Sequence, residues 1–115
     1  ARRYSVGEPS KAWCCDLSQL TDDQLKRRAL LEEWLQVGTA EIVECPTGFA
    51  FWLDPTCHIA AHVTEFVALE SLCCPFLEFE ERASEQHDGP VLEIGGSEEA
   101  RRFVANHFGI RGRAG

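Results

Sequence analysis

Between residues 39 and 108 one pattern occurs twice: two short strands followed by one helix. Thr39–Cys45 and Phe49–Leu53 read as strands joined by Pro46-Thr47-Gly48, a turn short enough to force an antiparallel hairpin. In the second strand Phe49, Phe51 and Leu53 share one face, and Ala50 and Trp52 the other. Asp54-Pro55 reads as the N-cap and first turn of a helix. Ile59, Val63, Phe66, Val67 and Cys73 follow a helical period, and Pro75 ends the helix by pushing Cys74 out of the α region. The pattern then repeats. Phe76–Ala83 and Val91–Gly95 form a second hairpin around Gln86-His87-Asp88-Gly89. Ser97 with Glu98 and Glu99 opens a helix to about Phe108, with Ala100, Phe103, Val104, His107 and Phe108 inward and Gly109 closing it. A further helix precedes both units. The capping box Thr21-Asp22-Asp23-Gln24 opens it, Leu25, Ala29, Leu31, Trp34 and Leu35 supply its apolar face, and it runs to about Gln36, with Gly38 as its stop. The order α-ββ-α-ββ-α predicts an α+β, two-layer α/β sandwich: a four-stranded antiparallel sheet with helices on one face.

The chain of 115 residues fits a single domain, 1–115, with one core. Residues 1–15, with Gly7, Pro9 and Ser10, read as an extended arm, and 110–115 as a flexible tail. The formal charge of −8 disfavours nucleic acid and anionic membranes as partners. The basic clusters Arg2–Arg3, Lys26–Arg28 and Arg111–Arg113 read as solvated helix faces and chain ends. No apolar run approaches the ~18–20 residues of a membrane span, and Ala1 to Lys11 contain no apolar h-region, so the expected location is cytoplasmic.

Six cysteines stand at 14, 15, 45, 57, 73 and 74, four of them in two adjacent pairs. A secreted disulfide framework is compatible with the count, but a core of this size does not need one. In a reducing compartment they are free thiols, metal ligands or redox groups.

Glu70, Cys73 and Cys74 are the sharpest signal. Glu70 lies on the apolar stripe of the helix, and Cys73 is three residues on, ~4.5 Å along the axis on the same face. A carboxylate there needs a partner: an Arg, a backbone amide, a proton or a cation. One reading bridges Glu70 to a basic residue from another element and uses the cysteines as small core residues. A second binds a thiophilic cation (zinc, copper(I) or a heavy metal) through Cys73 and Cys74, with Cys14 or Cys15 as a third thiolate. A third makes Cys73 a nucleophile or redox centre. The helix C-terminus and the carboxylate both raise a thiol pKa, whereas a bound cation reverses that penalty, so the local field favours metal binding over nucleophilic catalysis.

Two resemblances bear on this. The order of elements resembles the two-layer fold of the pterin carbinolamine dehydratases, without that family's catalytic histidine pattern, so only the fold is implied. The string Glu70-Ser71-Leu72-Cys73-Cys74-Pro75-Phe76 resembles the Glu-Arg-x-Cys-Cys-Pro-Phe signature of a small uncharacterised bacterial family associated with heavy-metal-resistance neighbourhoods. Cys15-Asp16-Leu17 is similar to that family's early Ala-Cys-x-Leu element. The chain departs from the signature at Ser71, where the family carries Arg. The resemblance implies that Cys15, Glu70, Cys73 and Cys74 belong together, and it supplies no established activity; as a metal site these four are the ligands expected.

Cys57, His58, His62 and Glu65 form a weaker second candidate. His58 and His62 are four apart and Glu65 one turn further, a spacing that suits zinc or copper, although such pairs on amphipathic helices are mostly boundary features. His62 and Cys73 are eleven residues apart, about 16 Å of helix, so the two groups would be separate sites. Trp13, Phe49, Phe51, Trp52, Phe76 and Phe79 read as core and sheet packing, with Trp52 on the uncovered face inviting a homodimer. The function expected is a small cytoplasmic metal-binding protein in metal resistance or homeostasis. A thiol-dependent enzyme or redox protein using Cys73 and a dimeric interaction module with buried cysteines are its rivals.

Overall fold

The computed structural model describes residues 17–110; the expected arm, with Trp13, Cys14 and Cys15, and the tail beyond residue 110 lie outside them. Three α-helices and one four-stranded antiparallel sheet make up the predicted two-layer α+β sandwich. The helices are α1 (Asp22–Gly38), α2 (Val63–Cys73) and α3 (Glu98–His107). The strands are β1 (Thr39–Cys45), β2 (Gly48–Leu53), β3 (Glu78–Ser84) and β4 (His87–Gly95).

The sheet order is β1-β2-β4-β3. The second strand of each strand-strand-helix unit is therefore central, and the two units join antiparallel through β2 and β4, from Gly48↔Gly95 to Trp52↔Val91. The Gly48–Gly95 pair is required at that end. A Cβ on either residue would meet backbone of the neighbouring strand, the carbonyl oxygen of Ile94 or of Thr47. Phe49, Phe51, Leu53, Leu92 and Ile94 pack under the helices with Leu31, Leu35, Ile59, Phe66 and Val104. The strand alternation read in β2 thus holds. On the other face Trp52 is only half-buried, but it is not the free aromatic surface expected there. Its ring lies 5.3 Å from His87, and its cross-strand neighbour Val91 is fully buried.

Local capping follows the sequence. Thr21 and Gln24 close the capping box on α1 at 3.1 and 2.9 Å, and Ser97 caps α3 through the Ala100 amide. Gly38 does not stop α1 short. It is the last helical residue, and the chain turns directly into β1. A Cβ at Gly38 would sit 2.8 Å from the Ile59 side chain and 2.9 Å from that of Cys57, so glycine there permits close packing rather than a break.

The helix expected from Pro55 is shorter and split. Asp54 spends its side chain on the Thr56 amide and hydroxyl, at 2.9 and 2.8 Å, and so closes a local turn instead of capping a helix. A 3-10 turn occupies His58–Ala61, and α2 begins only at Val63. The second hairpin is shifted too: β3 starts at Glu78, after a turn through Pro75, and β4 starts at His87 rather than Val91. His87 is drawn into the strand by its ring, whose Nε2 donates to the Leu53 carbonyl at 2.6 Å. Ile110, expected to open the tail, packs against the core and donates its amide to Ala105 at 2.8 Å.

Candidate metal centre

The C-terminal turn of α2 carries Glu70 and Cys73 on the face turned into the protein, and Cys74 is the C-cap with φ −130° and ψ 66°. Pro75 therefore does take Cys74 off the helix. The Cys74 amide still donates to the Glu70 carbonyl at 2.7 Å, and the Leu77 amide donates to the Cys74 carbonyl at 3.0 Å, so the backbone is held on both sides. The result is convergence. The two sulfurs lie 3.6 Å apart, and Cys74 Sγ lies 4.0 Å from Glu70 Oε1. One donor atom from each of Glu70, Cys73 and Cys74 falls within 4.8 Å of the others, and all three residues are buried. Among the described residues these three form a group able to hold a metal ion.

The partner that Glu70 requires comes from α1. Arg28 Nε lies 2.9 Å from Glu70 Oε2, its Nη2 donates to Glu70 Oε1 at 3.4 Å, and Nη2 also reaches Glu32 Oε2 at 2.8 Å. The Arg28 side chain is only 12% exposed, so its place in a solvated basic run is corrected: the charge points inward. Glu32 in turn bonds His107 Nε2 of α3 at 2.9 Å and shares a hydrogen bond with Glu70. Three helices thus contribute to one charged network beside the sulfurs.

That network sets the protonation states. Burial first, then the neighbouring Glu32, pushes the Glu70 carboxyl up to about 8, so it carries a proton at neutral pH and donates to Glu32. Glu32 is pushed upward by burial, but the hydrogen bonds from His107 and Glu70 outweigh this and hold it below its ordinary value. His107 is raised, chiefly by its bond to Glu32. The Cys73 thiol is raised by burial and then by Glu70, against the opposing influence of Arg28. It donates to the Glu70 carbonyl at 3.6 Å. Without a cation, Cys73 is a protonated, buried thiol and a weak nucleophile.

Cys45, Cys57 and Cys73 are free thiols. Cys74 is disulfide-bonded. It can act as a thiolate ligand only after reduction. Cys15, expected as a further ligand, lies outside the described residues.

The second candidate group is dispersed. His62 Nδ1 donates to the His58 carbonyl at 2.7 Å. Both imidazoles lie against Trp34, with ring centroids 4.8 Å (His58) and 5.2 Å (His62) from it. Glu65 is held by Arg27 through Nε at 2.6 Å and Nη2 at 2.9 Å. Cys57 packs half-buried against the core. Arg28, Glu32 and His107 are the residues that sequence reasoning missed around the main group. A signal for the first two was present: 28, 31, 32 and 35 lie on one helical face, shared with the core residues Leu31 and Leu35.

No family model, no curated protein and no solved structure matches this chain.

Proposed function

We propose that this protein binds a thiophilic metal ion through Cys73, Cys74 and Glu70, with Arg28, Glu32 and His107 as the hydrogen-bonded shell around the carboxylate, and that it serves metal resistance or homeostasis. The observation that carries the reading is the convergence of two sulfurs and one carboxylate, all buried, at the end of α2. Thiolates select zinc, copper(I) and heavier soft cations. The protonated Glu70 and Cys73 suit such a site, because a cation that enters must displace protons, and its charge then stabilises the anionic ligands. The test is a competitive titration of the reduced chain against a chelator at fixed pH, with zinc, copper(I) and mercury(II) as probes. One ion bound per chain, lost when Cys73 and Cys74 are both changed to Ser, supports the reading. The absence of stoichiometric binding for every probe refutes it.

A second reading, a redox protein using Cys73, has one observation in its favour. The Cys73 thiol stands 3.6 Å from the sulfur of the disulfide-bonded Cys74. Thiol–disulfide exchange there needs the Cys73 thiolate, which burial and Glu70 oppose. Alkylation of Cys73 faster than of the half-buried Cys45 and Cys57 would favour this reading over the first.

A further inference from the structure

The sheet ends in two edge strands, β1 and β3. An edge strand leaves amides and carbonyls without a ladder partner, and charged side chains are a common guard against pairing with another chain. β3 has that guard: Glu78, Glu80, Glu81 and Arg82 are all exposed. β1 has less of it. Its charges are Glu41 and Glu44, and Glu44 is already held by Arg101 of α3 at 2.8 Å. Beyond the ladder to β2, residues 41–45 make no backbone hydrogen bond among the described residues.

Apolar surface collects along the same edge. Ile42 pairs with Phe51 and so lies on the face that carries the helices, yet it is 37% exposed. It borders an open cavity of about 460 Å³ whose apolar walls are Leu35, Ile42, Phe51 and Phe108. Val37, in the last turn of α1 before β1, is 78% exposed.

The charge pattern says what can cover this edge. A two-fold axis normal to the sheet pairs an edge strand antiparallel with its own copy and sets one residue against itself. For β3, every centre from residue 79 to residue 82 puts like charges directly opposite: Glu78 against Glu80, or Glu80, Glu81 or Arg82 against itself. β1 has a centre free of this at Ile42, the midpoint of Thr39–Cys45. There Ile42 meets Ile42, Glu41 meets Val43 and Ala40 meets Glu44. The register shift of β1 lies between Thr39 and Glu41, clear of that centre. The Ile42 of the second copy then stands at the mouth of the cavity.

From the open edge, the apolar border and the self-complementary register we infer that β1 is a homodimer interface. Two copies pair antiparallel about Ile42 and join their four-stranded sheets into one of eight strands, with the second copy closing over the cavity. The homodimer expected from the sequence thus forms at the edge of the sheet and not over Trp52. It is independent of the metal reading, because Glu70, Cys73 and Cys74 lie on or next to α2 and not on this edge.

The experiment uses the full chain at physiological salt, which screens the formal charge of −8 on each copy. Sedimentation equilibrium is measured over a range of concentrations for the wild type, Ile42→Lys and Glu80→Lys. The wild type is expected to pass from monomer to dimer as concentration rises. Ile42→Lys sets like charges against each other at the axis and is expected to raise the dissociation constant by about tenfold or more. Glu80→Lys, on the other edge, is expected to leave it unchanged. Ile42→Cys reads the register. The two copies of residue 42 come within about 5.5 Å between Cα atoms, so mild oxidation is expected to bridge them, as peptide mass analysis would show. Glu80→Cys is expected to give no bridge at residue 80. A wild type that stays monomeric at every concentration overturns the β1 dimer. So does a dimer that survives in a folded Ile42→Lys chain, or one that forms no bridge at residue 42. Ile42→Cys is a small change at a partly exposed site, so the bridge decides the matter even where Ile42→Lys does not fold.

Discussion

The two ends of α2 carry similar lists of residues and do opposite things with them. At the C-terminal end Glu70, Cys73 and Cys74 are each buried, and their donor atoms point at one another. At the N-terminal end His58, His62 and Glu65 are exposed or half-exposed. They are engaged elsewhere: both histidines with Trp34, the carboxylate with Arg27. Ligand chemistry alone does not separate the two groups. What separates them is where the backbone leaves helical geometry. Beyond Cys73 the chain turns at a proline, and this sets two adjacent side chains beside each other over the core. Before Val63 it passes from a 3-10 turn into α2 at His62, whose φ of −128° and ψ of 20° are not helical. The regular four-residue spacing assumed for His58 and His62 is lost there.

The strongest way to break that comparison is to remove a sulfur. In the reduced protein, Cys73→Ser or Cys74→Ser is expected to weaken a bound thiophilic ion by more than about a hundredfold, beyond the usual 10–100-fold effect of groups that only orient ligands. Cys45→Ser, at the far end of β1, is expected to change nothing. Chelator competition at fixed pH measures both. Equal losses at Cys45 and Cys73 would mean that the convergence at the end of α2 is irrelevant to binding.

Glu70→Gln sharpens the comparison at intermediate size. Glutamine mimics the protonated carboxyl and keeps its hydrogen bonds, so the fold is expected to survive while affinity falls about tenfold or more. A folded Glu70→Gln chain with unchanged affinity would assign the carboxylate to packing and leave the sulfurs as the only ligands.

The same substitution carries a pH signature in the metal-free protein. Glu70 is held protonated up to about 8 by burial and by Glu32, whereas an ordinary glutamate titrates near 4.5. The folded chain therefore binds more protons than the unfolded one between those values. Stability from this group is fully present below 4.5 and is lost as the pH rises through about 8. His107, raised mainly by its bond to Glu32, acts in the same direction from 6.5 upward. Glu32, held low overall, acts in the opposite direction, but only as the pH falls below about 4.5. Unfolding free energies from urea titrations are expected to drop between pH 5.5 and 8.5, by no more than about 1.4 kcal/mol per pH unit for each group, and the slope is expected to flatten in Glu70→Gln. A profile that stays flat over that range and is unchanged by Glu70→Gln would show Glu70 ionised and paired with Arg28.

How much of this was legible depended on the range of the interactions. The repeated strand-strand-helix order, the caps at Thr21 and Ser97, and the departure of Cys74 from the helix were all readable, because each rests on residues a few positions apart. The need of Glu70 for a partner was readable from its place on an apolar stripe. Its partner was not: Arg28 lies 42 positions earlier, within a basic run that looks solvated. Glu32 and His107 are 75 positions apart, and nothing local announces their bond. The helix start at Pro55 was misjudged for a nearer reason. Asp54 had two local uses for its side chain, an Asx turn and an N-cap, and the turn through Thr56 won.

The smallest expected effect is at the N-terminal end of α2. His58→Ala with His62→Ala is expected to leave thiol-dependent metal affinity within about twofold of the wild type, since neither ring reaches the sulfurs and both are engaged with Trp34. The cost falls on stability instead. Two ring contacts are lost, each worth about 0.5–1.5 kcal/mol when well packed and less at a surface. Arg27 remains above Trp34, 5.3 Å from its ring centroid, and still holds Glu65, so the junction of α1 with α2 survives the double change. The Arg27–Glu65 pair itself is more than a third exposed on both sides, and Arg27→Ala is expected to change stability little. Chelator competition and a urea titration on the same double variant separate the two quantities. A large loss of affinity with little loss of stability would join the two ends of α2 into one functional unit, against a helix geometry that sets His62 and Cys73 about 16 Å apart along the chain axis.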